Sequence, residues 1–208
     1  MKLLHVDSSI TGAASATRQL SAEIVERFAS AHPHLEVTRR DLAADPLPHL
    51  SPELLAAGRT PPAELDAGLQ RELARGKAAL DEFLAADVLV IGAPMYNFTV
   101  PSQLKAWIDR LAVAGVTFRY TANGPVGLAG GKRVIVASAR GSALGEASLA
   151  DHQESYLRTF FGFLGVTDLE VVRAEGLGLG AEPRAKALEG ALSRIAGLPT
   201  TRDRLPAA

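Results

Sequence analysis

Short apolar runs alternate with longer segments of helical period along most of this chain. Lys2–Val6 is an apolar run closed by polar residues and predicts the first strand. Leu20, Ile24, Val25 and Phe28 then recur on one face of a helix over 16–31. His32-Pro33 ends it, because the residue before a proline is pushed out of the helical region. Leu35–Arg40 predicts strand two. Asp41 to Pro62 is rich in Pro and Asp and carries no period; an insertion this long is more often functional or interface-forming than idle. Helical spacing returns over Glu64–Ala86, with Leu65, Leu69, Leu73, Leu80, Phe83 and Leu84. Val88–Gly92 follows as a buried third strand. Pro101 suits the first position of the next helix, Leu104, Trp107, Ile108 and Leu111 share its face, and Gly115 ends it. Strand four over Arg133–Ser138, a helix over Leu149–Gly165, strand five over Asp168–Ala174 and a helix over Ala181–Gly197 complete the pattern. The polar tail Pro199–Ala208 is expected to be disordered.

Strands alternating with helices in this way predict an α/β protein, a parallel sheet covered on both faces in a three-layer sandwich. Five strands fit the flavodoxin-like order 2-1-3-4-5, whose switch point lies between strands one and three. There is no internal repeat and no linker, so residues 1–198 read as a single domain.

Composition narrows the function. The chain has 208 residues, enough for one domain with a substantial core, and 47% of them are hydrophobic. The net charge is -1, from 22 basic and 23 acidic residues, which leaves no electrostatic footprint for nucleic acid or for an anionic membrane surface. Cysteine is absent, which removes disulfides, thiolate nucleophiles and cysteine-ligated metals and fits a cytoplasmic setting. The N-terminal apolar run is too short for a signal peptide, and no run approaches the ~18 apolar residues of a membrane span.

The chemistry concentrates in loops after the predicted strands. The turn Ser8-Ser9-Ile10-Thr11-Gly12-Ala13-Ala14-Ser15-Ala16-Thr17 joins strand one to a helix start, where unpaired N–H groups and the helix dipole favour an anion. Ser9, Ser15 and Thr17 add hydroxyls, and Arg18 is near; the plainer reading is a Ser/Thr-rich helix cap. The loop after strand three, Ala93-Pro-Met-Tyr-Asn-Phe98, is uncharged. Met95, Tyr96 and Phe98 could cover a flat ring, Asn97 could add an amide contact, and the alternative is ordinary core packing. The loop after strand four, Ala139-Arg-Gly-Ser142, holds a glycine for close backbone approach and an arginine that could support an electron-rich ring edge or simply sit at the surface. A ring site and a phosphate site at the carboxyl ends of neighbouring parallel strands are what a bound flavin mononucleotide needs.

Other motifs carry less. Gly127-Leu-Ala-Gly-Gly-Lys132 lacks the leading glycine spacing of a phosphate loop, and Arg133 stands where Ser or Thr belongs. Gly176-Leu-Gly-Leu-Gly180 mimics a dinucleotide fingerprint but has no downstream acidic strand end. Ser138 lacks the flanking glycines of a nucleophile elbow. The five histidines show no metal-ligand spacing, and His5, inside strand one, reads as a packed side chain.

The segments Ala93–Phe98 and Gly115-Val-Thr-Phe-Arg-Tyr-Thr-Ala-Asn-Gly-Pro-Val-Gly-Leu128 resemble the FMN-dependent NADH-azoreductase family, also described as NADH:quinone oxidoreductases. Ser9, the Ser15-Ala16-Thr17 turn, Arg39-Arg-Asp-Leu-Ala43 and Phe160-Phe-Gly-Phe-Leu-Gly165 fall in the matching order, so the likeness spans Lys2 to about Leu198. The resemblance implies a homodimer with one FMN per subunit and the active site at the dimer interface. It puts FMN contacts on Ser9, Ser15, Ala16, Thr17, Met95, Tyr96, Asn97, Phe98, Ala139, Arg140, Gly141 and Ser142. It makes Phe118 and Tyr120 candidates for the substrate side, reaching over the flavin from the partner subunit; the alternative is interface packing. Ala16 and Ala139 depart from the family pattern, each removing one side-chain hydrogen bond worth about 0.5–1.5 kcal/mol.

On this reading NADH or NADPH gives a hydride to the flavin, and a quinone or azo compound then occupies the same place, so the kinetics are ping-pong. No catalytic side chain and no metal is required. The alternative is a flavodoxin-like single-electron carrier between protein partners; such carriers are strongly acidic, and a charge of -1 counts against one. A flavin-free sensing or scaffolding domain is a weaker third reading.

Overall fold

The structure is a computed structural model that describes residues 1–58, 60–145 and 148–201. Its sheet is built from β1 (Lys2–Asp7), β2 (Glu36–Asp41), β3 (Val88–Pro94), β6 (Arg133–Ala139) and β7 (Asp168–Ala174), all paired in parallel. Two more strands, β4 (Phe118–Thr121) and β5 (Gly124–Gly127), form a separate antiparallel hairpin. The sheet order is therefore β2-β1-β3-β6-β7 rather than the expected 2-1-3-4-5. The difference comes from the hairpin, inserted between the third and fourth members of the sheet. Its four-residue strands are too short to show a period of two, and β5 contains a proline.

Side chains alternate across the sheet and divide the core in two. Leu4, Val6, Leu89, Ile91, Val134 and Val136 face one side. There they meet Phe83 of α3 (Ala67–Ala85), Trp107 of α4 (Ser102–Leu111) and Phe161 of α5 (His152–Phe163). Leu3, Val88, Val90, Ile135 and Ala137 face the other side. They pack on Leu20, Ile24 and Phe28 of α1 (Ala16–Ala31) and on Ala191 and Ile195 of α6 (Ala181–Ala196). β3 and β6 are buried at every position, which is why their central stretches, Val88–Ile91 and Val134–Ala137, read as continuous apolar runs.

Several boundaries move for local reasons. The segment 41–62 is not wholly irregular: α2 (Pro52–Ala57) forms there, started by Ser51, whose hydroxyl accepts from Leu54 N. α3 begins at Ala67 because Asp66 caps it through Gly68 N and Leu69 N. Pro101 is the cap of α4 rather than its first residue, and the helix stops at Leu111, short of Gly115, which turns the chain into the hairpin at φ 80°. α5 starts at His152, since the Asp151 carboxylate accepts from Gln153 N and Glu154 N. Beyond α6 the chain stays bonded to the domain: Arg133 donates to Pro199 O at 2.5 Å, and His32 Nε2 lies 2.9 Å from Thr200 O. The rest of the expected tail, residues 202–208, lies outside the described residues.

Candidate functional site

The carboxyl ends of β1, β3 and β6 open onto a cleft of about 290 Å³ on one edge of the sheet. Its lining includes Ser9, Thr11, Ser15, Ala16 and Thr17 from the first loop. Pro94, Met95 and Tyr96 come from the second, and Ala139, Arg140 and Gly141 from the third. Most of the residues singled out in the sequence thus meet here. Asn97 lies instead on an adjoining cavity of about 600 Å³, which shares Tyr96 and is bounded by Ile10, Gln103, Lys105 and Tyr156. Burial pushes the Tyr156 phenol up to about 12.

The first loop ends on the N-terminus of α1. Ser15 caps this helix by accepting from Arg18 N at 3.2 Å, and its hydroxyl lies 3.0 Å from Thr17 Oγ1. The N–H groups of Ala16 and Thr17, at the first two helical positions, have no acceptor among the described residues. Arg18 does not point into the cleft. Its guanidinium forms two 2.7 Å bonds to Asp41 at the end of β2 and donates to Ser9 O at 2.9 Å. The Arg18 hydrogen bonds hold the Asp41 carboxyl down to about 2. Beneath the turn, Ser21 Oγ bridges His5 Nε2 and Asp7 Oδ1 at 2.9 Å each, so His5 is packed, as the sequence indicated.

The second loop is conformationally unusual. Asn97 and Phe98 both have left-handed backbones, at φ 48° and 70°. Asparagine tolerates this region, but a bulky phenylalanine there is an outlier that the surroundings must enforce. Flanking bonds do so: Tyr96 and Thr99 exchange two backbone hydrogen bonds, Met95 N donates to Ala139 O, and His152 N donates to Phe98 O at 3.0 Å. The result leaves the N–H groups of Asn97 and Phe98 without an acceptor among the described residues. Phe98 is half exposed. Tyr96 turns its hydroxyl to the first loop, 3.4 Å from Ser9 Oγ and 3.3 Å from Ile10 N.

The third loop is fastened by main chain. Arg140 N donates to Ala174 O, Leu177 N to Arg140 O, Gly178 N to Gly141 O and Gly176 N to Ser142 O. The glycine run 176–180 therefore braces this loop. A Cβ on Gly178 would lie 3.3 Å from Gly141 O, so the close approach itself favours glycine. The N–H groups of Gly141 and Ser142 have no acceptor among the described residues. Arg140 is 3% exposed, and its guanidinium meets Asp151 at 2.6 Å, Glu154 at 2.8 Å and Ser138 Oγ at 3.2 Å. Burial would raise the Asp151 carboxyl, but Glu154 N and Arg140 outweigh it and hold it below its ordinary value. Arg140 is thus an anchor of α5 to the sheet, and only its Nε is buried without a hydrogen bond.

The two hairpin aromatics separate. Phe118 is buried in its own protomer against Phe163, with ring centroids 4.5 Å apart. Tyr120, edge-on to Phe118, is 77% exposed. Sequence reasoning missed Arg184, in the first turn of α6, which lines the same cleft as Ser15 and Thr17. Nothing in the one-dimensional pattern places α6 next to α1. Among the described residues, no group of three or more His, Asp or Glu side chains could hold a metal, and no helix is long and apolar enough to cross a membrane.

A parallel sheet whose switch point is edged by a helix start and two donor-bearing loops defines a protein of the flavodoxin-like kind. Residues 1–198 match the family described as having a flavodoxin-like fold, and the chain belongs to it. More narrowly, the chain is 61% identical over 198 residues to the FMN-dependent NADH:quinone oxidoreductase 2 of Pseudomonas aeruginosa, covering 95% of this chain and 98% of that one. An azoreductase from Bacillus anthracis superposes with a TM-score of 0.84 at 29% identity, covering 94% of this chain and 97% of that chain. An FMN-dependent NADH-azoreductase of the same species, solved in complex with FMN, superposes with a TM-score of 0.82 at 26% identity and the same coverage.

Proposed function

We propose that this protein is an FMN-dependent oxidoreductase that takes a hydride from NADH or NADPH and reduces quinones and azo compounds by two electrons in a ping-pong cycle. The observation that carries the reading is a set of unpaired backbone donors on the three loops bordering one cleft: Ala16 and Thr17, Asn97 and Phe98, Gly141 and Ser142. Unpaired donors on buried residues are uncommon, and those of Ala16 and Thr17 call for an acceptor, while those of Asn97, Phe98, Gly141 and Ser142 lie at exposed positions on the flanking loops, open to the same ligand. The 61% identity to an FMN-dependent NADH:quinone oxidoreductase supports the same assignment.

The donors of Ala16 and Thr17, with the hydroxyls of Ser9, Ser15 and Thr17, hold the phosphate at the positive end of α1. Asn97, Phe98, Gly141 and Ser142 offer N–H groups to the acceptor edge of the ring, while Met95 and Tyr96 supply its apolar wall. FMN held there would supply the hydride-accepting and two-electron chemistry. The protein positions the ring, excludes water from one face and tunes its potential through these donors; no side chain acts as a general acid or base.

The second subunit belongs to this proposal. Tyr120, Phe98 and Leu149 are exposed apolar or aromatic side chains, and Leu149 stands 96% clear of its own protomer. The 600 Å³ cavity beside Asn97 is open enough for a partner to complete it. In a homodimer Tyr120 is the hairpin aromatic free to cover a neighbouring site, since Phe118 is used internally.

The test is the visible spectrum of the purified protein, recorded without oxygen. Addition of NADH should bleach a flavin spectrum, and a quinone should restore it. A bound flavin that NADH leaves oxidised would instead indicate the single-electron carrier.

A further inference from the structure

We propose that Arg184 binds the phosphate group of the flavin nucleotide and supplies the positive side chain of that subsite. The inference rests on the flavin reading above and adds a residue and a role to it.

Arg140 and Arg184 line the cleft and Arg18 sits behind its first loop; Arg18 and Arg140 are already matched. Arg18 is gripped by Asp41 and lies 3.7 Å from Asp7. Arg140 is held by Asp151 and Glu154 in the interior. Arg184 is partly buried and lines the same cleft as Ser15 and Thr17, yet its side chain makes no hydrogen bond or ion pair among the described residues. Its nearest acidic neighbour in sequence, Glu182, is exposed.

Its position is electrostatically unfavourable without an anion. Arg184 occupies the first turn of α6, where the helix dipole repels a cation. α6 lies beside α1 on the same face of the sheet, and both helices begin at the edge where the strands end. A phosphate monoester carries close to two negative charges near neutral pH, and the α1 turn offers only partial charges and neutral hydroxyls. A guanidinium within reach completes the neutralisation, and its planar donors suit phosphate oxygens better than an ammonium does.

The experiment titrates the flavin-free protein with FMN and, separately, with riboflavin, which has the same ring and no phosphate. Binding is followed by flavin fluorescence. Arg184→Ala should weaken FMN about tenfold, the weight of one charge-assisted contact, and leave riboflavin unchanged. Arg184→Lys should recover part of the loss. Unchanged FMN affinity in Arg184→Ala would overturn the assignment, as would equal losses for both flavins, which would mean that the residue only supports the fold. Wild-type protein that takes up neither flavin would overturn the flavin reading itself.

Discussion

Arg18 and Asp41 meet through two 2.7 Å hydrogen bonds, joining the first turn of α1 to the end of β2. The same guanidinium holds Ser9 O, so this pair fixes the turn between β1 and α1 from behind. The Asp41 carboxyl titrates near 2 in the folded protein, below its ordinary 3.8. A depressed carboxylate stabilises the fold above its unfolded pKa, and that contribution is lost as pH falls through the folded value. Wild-type protein should therefore lose this increment between about pH 4 and pH 2, whereas Asp41→Asn should lack it already at pH 7. Asp41 is partly exposed, so the difference is modest, about 0.5–1 kcal/mol. Urea unfolding at the two pH values measures it.

Removing Arg140 should be far more damaging. Arg140→Met strips Asp151 of its cation and leaves Glu154, which Arg173 also holds at 2.5 Å, with one partner fewer. Breaking a buried pair from one side costs about 3–5 kcal/mol. Chemical denaturation should show a loss of that size, and Arg140→Lys should recover little of it because an ammonium cannot span both carboxylates.

Ser15→Ala removes the cap of α1 and one hydroxyl from the cleft. The flavin-free protein should lose about 1 kcal/mol in thermal unfolding. FMN affinity should fall by more than riboflavin affinity, because Ala16 and Thr17 present their donors from the turn that Ser15 organises.

The hairpin depends on a glycine contact. A Cβ on Gly127 would lie 2.1 Å from Gly165 N, a backbone atom that cannot swing aside. Gly127→Ala should destabilise the fold by about 3 kcal/mol or more, or detach the hairpin and Tyr120 with it. Proteolysis within 118–127 should then accelerate relative to wild type.

The switch point was legible because β1 and β3 carry their own signatures: apolar runs that stop abruptly at loops of hydroxyl, aromatic and amide residues. The hairpin was not, since Gly124-Pro-Val-Gly127 has no alternation to read and is held largely by packing against Gly165. α2 hid in a Pro-rich stretch because its six residues are too few to show a helical period, although Ser51, Pro52 and Glu53 mark its start. Arg140 read as a possible ring contact, yet it is spent on carboxylates of α5 that no local pattern joins to it. Arg184 was silent for the same reason: its significance lies in the neighbour that folding brings to α6.

The donors on the three loops are peptide groups, and a peptide N–H is common to every residue except proline. Alanine at position 16 still presents its N–H, and replacements at 97, 98, 141 or 142 leave the donors in place provided the local backbone is kept. A proline at any of those positions deletes one outright. A ligand taken up there is therefore met by peptide groups that most single substitutions cannot remove, while the side chains walling the cleft are free to change.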